Sequence, residues 1–117
     1  MKLVSAIIRP QELDPARRAL AAFGSPGLTV TATSVATRWN RRLEIYRSTV
    51  LVADLAQRLR VDVLAADEDA ADLAAVLARV AAAAAVRGGG DDTVGVWITP
   101  VEQAVRVRTG ERGAGAV

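Results

Sequence analysis

Arginine is the residue through which this sequence could do chemistry. The chain carries 15 basic residues, and every one except Lys2 is an arginine. Arg106 and Arg108 stand two apart in 104–108, where Val105 and Val107 alternate with them and predict a brief extended piece. Residues two apart on a strand share a face. Both guanidiniums would then point one way, and paired guanidinium forks suit phosphate oxygens. The same pair would serve equally as surface charges on an edge strand. Arg87 followed by Gly88, Gly89 and Gly90 is a second pattern. Bare amides can wrap an anion while Arg87 supplies charge, or the run is a plain flexible linker. Arg38, Arg41, Arg42 and Arg47, set against Glu44, make one segment basic. That segment is either a solvated charged loop or an arm that docks an acidic target, with Trp39 and Tyr46 as anchors. Nucleic-acid binding ranks third, because one short basic segment and a net charge of +2 fall far short of a phosphate-neutralising surface.

Other chemistries are excluded outright. The chain has no Cys and no His. It therefore has no Cys/His zinc site, no thiol nucleophile, no Ser-His-Asp triad and no imidazole switch. Asn40 is the one asparagine, and an acylphosphate-cleaving site would need it pre-organised beside an arginine and a phosphate loop. It falls in the basic segment, where nothing fixes it, so a small acylphosphate-cleaving enzyme is the weakest reading. The expectation is a protein that is not an enzyme, with no metal and no obligatory cofactor.

A length of 117 residues allows one domain, 1–117. Such a chain buries about two-thirds of its unfolded surface, enough for a modest core without disulfides. The opening apolar run ends at Ile8, too short for a signal segment or a span, and Asp72 and Arg79 interrupt the Ala-rich stretch 70–86. A cytoplasmic protein without membrane insertion is the expectation.

The elements that must position the arginines follow from periodicity. Leu3–Ile8 reads as a buried strand closed by Pro10. Asp14-Pro15 predicts a helix start, with Asp as N-cap and Pro at the first position. Ala16, Ala19, Leu20 and Phe23 continue it, and Gly24 ends it. Residues 27–36 alternate Leu28, Val30 and Ala32 with threonines, a strand pattern. A long loop follows over about 37–57. Leu59, Val61 and Val63 then mark one face of a strand over 58–65. Asp67, Glu68 and Asp69 open a second helix, suited to its dipole. Leu73, Val76, Leu77, Val80 and Ala84 form its stripe, and Arg87 and the three glycines close it into a glycine-rich loop over about 87–95. Val96–Thr99 is a short strand interrupted by Pro100, and 110–117 reads as a flexible tail. Two β-α-β halves in series predict an α+β, ferredoxin-like βαββαβ sandwich with an antiparallel sheet and both helices on one face. Leu3, Val4, Ala6, Ile7 and Ile8 are apolar on both faces of their strand. The second face should thus be covered too, most simply by oligomerisation.

The segments KLVSAIIRPQELDPARRAL, GLTVT, LEIYR and VEQAVRVRTGE resemble the PII signal-transduction proteins. The family pattern opens xAIIKPxKLDxVxxAL, continues GxTVTxVxGxGRQ and TEIYRGxEY, and closes VRIRTGE. The resemblance runs in order along nearly the whole chain. It implies a homotrimer, adenine nucleotide in the clefts between subunits, and a long T-loop, here about 37–57, that docks onto a membrane transporter or a metabolic enzyme in nitrogen regulation. By the resemblance, Gly27, Leu28 and Thr29 match the strand end that holds the adenine, and Asp62 and Leu64 line that pocket. Arg38 stands at the T-loop base, and Arg106 and Arg108 match the pair that reaches the phosphates from a neighbouring subunit.

The departures from the pattern carry information. The family's phosphate loop TGxxGDGK is replaced by VRGGGDDTVG, longer and without lysines, so ADP or AMP becomes as plausible a ligand as ATP. Trp39 stands where the family has the Gln of its metal and 2-oxoglutarate site, and Trp offers Mg²⁺ no oxygen. Arg58 replaces a lysine that pairs an effector carboxylate; it could bind a small anion, or it is a solvated strand residue. Leu51 occupies the nucleotidylylated tyrosine's place, and Thr49 falls where some members carry a phosphorylatable serine. Two alternatives retain the fold: a carbon-side sensor reading bicarbonate or another small anion with ADP or AMP, and a ligand-free interaction scaffold.

Overall fold

The computed structural model describes residues 1–25, 27–36, 43–46, 49–52, 55–88 and 95–113. Strand β1, Lys2–Ile8, is followed by a 3-10 turn over Pro10–Glu12 and helix α1, Leu13–Phe23. Strand β2 spans Thr29–Ala36, β3 Leu43–Tyr46, β4 Thr49–Val52 and β5 Leu55–Ala65. Helix α2 covers Asp67–Gly88, and β6 covers Val96–Pro100. Four strands form one antiparallel sheet in the order β2-β5-β1-β6, and β3 and β4 form a separate two-stranded hairpin. This is the predicted ferredoxin-like arrangement.

The core lies between the sheet and both helices. Val4, Ala6 and Ile8 of β1 and Val61 and Val63 of β5 are buried against Ala16 and Leu20 of α1 and Ala70, Leu73 and Leu77 of α2. The ladder explains the selection. Val4 faces Val63 and Ala6 faces Val61, so the alternate residues that face each other across the pair form one apolar surface. Leu3, Ser5, Ile7, Arg60, Asp62 and Leu64 consequently fall on the opposite face, which no helix covers.

Several boundaries differ from the sequence expectation. Helix α1 starts at Leu13, and its N-cap is Glu12 rather than Asp14, without a side-chain capping bond. Pro10 sets the turn early, with the Glu12 amide donating to the Arg9 carbonyl at 2.9 Å. Pro15 then sits in the first helical turn, where amides have no intrahelical partner and its missing N–H costs nothing. Gly24 terminates the helix as expected, at φ 94° in the left-handed region. The segment read as loop over 37–57 contains the β3–β4 hairpin, and β5 begins at Leu55. Strand β6 runs through Pro100, which lies opposite Lys2; an edge strand tolerates a residue without an N–H. Helix α2 extends through Gly88, so Arg87 and Gly88 are helical residues, not the start of the loop. Residues 104–108 are not a strand. They enter a tight turn, with Val105 bridged to Arg112.

The Met1 ammonium donates to Asp67 Oδ1 at the start of α2. This bond, with the nearby positive charge, holds the Asp67 carboxyl below its ordinary range against a smaller opposing effect of desolvation. Two outcomes are expected. Leu77→Ala, at a fully buried site, should destabilise by about 2–5 kcal/mol in urea titration. A carboxyl depressed in the folded state stabilises above its unfolded pKa and loses that contribution as pH falls through the folded value. The stability gap between the wild type and Asp67→Asn should therefore be open at pH 7 and close below about pH 4, read from urea midpoints across that range.

Candidate functional site

One row of side chains crosses the open sheet face. The registers place Thr29 of β2 opposite Asp62 of β5, Asp62 opposite Ser5 of β1, and Ser5 opposite Trp97 of β6. Arg60 lies two residues from Asp62, on the same face. Its Nε donates to both Asp62 oxygens at 3.2 Å. Ser5 Oγ donates to Asp62 Oδ1 at 2.5 Å. The Arg60 guanidinium also lies over the Trp97 ring, 5.2 Å from its centroid, a cation–π contact. Ser5 is fully buried on a face that no helix covers; the ladder sets it between Asp62 and Trp97. The Asp62 side chain is mostly buried, and Arg60 is 42% exposed.

Sequence reasoning named Asp62 but missed Ser5, Arg60 and Trp97. The spacing of Arg60 and Asp62 at i and i+2 on a strand was a usable local signal. The approach of Trp97 was not, because it depends on the register between β1 and β6, which no local pattern encodes.

Of the proposed adenine residues, Thr29, Asp62 and Leu64 share the open face, whereas Leu28 lies on the helix side. Thr29 is the first residue of β2, Leu28 packs against the core just before it, and Leu64 follows Asp62 by two on β5. Gly27 and Leu28 also border a cavity of about 620 Å³ shared with Arg17 and Arg18, where Arg17 pairs with Asp14 at 3.5 Å. The proposed phosphate residues come later in the chain. Arg106 and Arg108 follow β6, the sheet edge opposite β2. Three strand intervals separate the two edges, about 14 Å.

Neither arginine is on a strand, which removes the expected same-face pairing. The Arg106 amide donates to the Glu111 carbonyl at 2.8 Å, the Gly110 amide to the Arg106 carbonyl at 2.7 Å, and the Gly113 amide to the Ala104 carbonyl at 3.0 Å. Gly110 and Gly113 adopt φ of 74° and 68°, which the turn requires. The stretch read as the start of a flexible tail is thus a folded turn as far as Gly113. Val107 at its tip is 97% exposed, flanked by the two exposed arginines.

Arg58 is on β5 opposite Thr33 and donates to the Gln57 carbonyl at 2.8 Å. Arg87 and Gly88 end α2. Tyr46 and Thr49 are register partners between β3 and β4. Arg38, Trp39, Arg41, Arg42, Arg47, Gly89 and Gly90 lie outside the described residues. Among the described residues there is no cluster of acidic, His or Cys side chains able to hold a metal ion, and no helix is long and apolar enough to cross a membrane.

Comparison with known proteins agrees with this architecture. The family model described as nitrogen regulatory protein P-II matches residues 1–111. The chain is 37% identical over 120 residues to the nitrogen regulatory protein P-II of Cereibacter sphaeroides, covering all of both chains. It is 39% identical over 117 residues to the nitrogen regulatory protein GlnK2 of Haloferax mediterranei, covering all of this chain and 91% of the relative. It is 36% identical to the nitrogen regulatory protein P-II of Rhizobium meliloti, again over the full length of both. A ferredoxin-like sheet and likeness along the whole chain lead to one assignment: this chain belongs to the P-II family of nitrogen regulatory proteins.

Proposed function

We propose that the chain acts as a homotrimeric, non-catalytic cytoplasmic regulator. It binds ATP, ADP or AMP between copies and controls a membrane transporter or metabolic enzyme through the segment around the β3–β4 hairpin. The observation that carries this reading is that the proposed base residues lie by the β2 edge of the sheet while the proposed arginines come in the chain after β6, the strand at the other edge. Gly27, Leu28, Thr29, Asp62 and Leu64 gather near β2, whereas Arg106 and Arg108 follow β6. The strands from which the two groups extend stand about three strand intervals apart. A neighbouring copy that brings its C-terminal turn against β2 completes the site. The uncovered sheet face and the bare Val107 offer surfaces for such a neighbour.

The proposed route from ligand to partner follows the same strands. Ala36 and Leu55 are register partners at the far ends of β2 and β5 from Thr29 and Asp62. An elongated ligand lying along β2 would have its base at one end and its phosphates toward the Ala36 end. Different phosphate numbers would then favour different hairpin conformations, a population shift.

Calorimetry should detect binding of at least one of ATP, ADP and AMP to the purified protein. No binding to any of them would overturn the nucleotide reading. The double variant Arg106→Glu/Arg108→Glu should bind at least about 100-fold more weakly, because two charge-assisted contacts are lost. A shared site makes a further demand. Asp62→Ala chains and the double-arginine variant, each defective alone, should regain part of the binding when unfolded and refolded together. A mixture that stays as defective as its components would exclude a site built from two copies.

A further inference from the structure

The opposite side of the molecule carries a cavity that the nucleotide reading does not use. A groove of about 820 Å³ runs between α1 and α2 on their outer side. Its volume lies within the range of small-molecule sites, roughly 300–1,000 Å³. The walls are apolar. Val76, Val80 and Ala83 of α2 recur at i, i+4 and i+7, and Ala19, Ala22 and Phe23 of α1 face them across the groove. The alanines explain the space, since short side chains on both helices leave the cleft unfilled. Phe23, 38% exposed, has an aromatic surface the fold does not cover.

The polar groups bordering the groove are few and their charges do not balance. Glu12 is buried, and its carboxylate lies 3.9 Å from Arg9 Nε. Arg79 is exposed on α2 beside the apolar stripe, and no carboxylate among the described residues pairs with it. The groove thus offers an apolar channel and one guanidinium without a counter-charge among the described residues.

We propose that this groove binds a free acyl carboxylate, a medium-chain fatty acid, with its chain along Val76, Val80 and Phe23 and its carboxylate on Arg79. A guanidinium fork matches a carboxylate geometrically. An unbranched chain suits a cleft lined by alanine and valine. The site is independent of the nucleotide cleft, so the two readings stand or fall separately.

The test is calorimetric titration of the full chain with octanoate, decanoate and dodecanoate below their micelle-forming concentrations. Decan-1-ol serves as the uncharged comparison. Saturable binding at one ligand per chain is expected, tightening about two- to fourfold per methylene, as partial to full burial of each CH₂ implies. Decan-1-ol and the variant Arg79→Gln should each weaken binding about tenfold. Ala83→Glu, which adds a carboxylate to an exposed position of good helix propensity, should weaken it by a similar factor. Affinity that ignores chain length, non-saturating uptake, or variants that bind like the wild type would each overturn the proposal. Thermal melts report whether the variants fold. If either does not, the chain-length series and the alcohol comparison on the wild type decide alone.

Discussion

The register between β1 and β5 constrains everything else in the molecule. Strand side chains alternate faces, so setting Val4 opposite Val63 and Ala6 opposite Val61 also sets Ser5 opposite Asp62 and Ile7 opposite Arg60. A slip of one residue would turn Asp62 and Arg60 toward Leu20, Leu73 and Leu77, burying two charged groups where nothing could solvate them. It would also expose the valines that hold the helices. The apolar core and the polar row are therefore two consequences of one pairing. The helices enforce it from one side, and the cost of burying a carboxylate enforces it from the other.

The polar row is closely knit for a face that no helix covers. Arg60 is engaged by Asp62 and Trp97, and Asp62 by Arg60 and Ser5. Each contact on a partly exposed surface contributes modestly. Their combined effect is positional, fixing Asp62 beside Thr29 and holding the long Arg60 side chain flat. A guanidinium stays charged throughout the physiological pH range, and the chain has no imidazole.

Legibility in the sequence tracked how local each determinant was. The first strand, both helices and the Gly24 stop could be read because apolar spacing and a left-handed terminator act within a few residues. The ferredoxin-like order followed from their succession. The β3–β4 hairpin was missed, since the basic run before it masks the alternation in 43–46 and 49–52. Val105 and Val107 misled in the other direction. Alternation beside arginines reads as a strand, yet these residues have no partner strand, and Thr109 and Gly110 fold them into a turn. Of the site, Thr29, Asp62 and Leu64 were reached only through family resemblance. Ser5, Arg60 and Trp97 needed the register, which is a property of strand pairs rather than of any segment.

The two sides of the sheet invite different partners for a physical reason. Leu3, Ile7 and Leu64 are only partly covered on the open face, and they flank a row whose charges are already paired. A surface of that kind can be desolvated by a second copy without leaving a charge stranded. The helical side offers a groove and Arg79, which no carboxylate among the described residues pairs, better suited to a small amphipathic anion than to a broad protein surface. If copies meet through the open face, the groove stays outermost and accessible. Nucleotide held between copies would also contribute its binding free energy to assembly. A ligand in the groove would act on α1 and α2 within a single chain. The shortest covalent path between the two runs from Phe23, at the end of α1, to Thr29, at the start of β2.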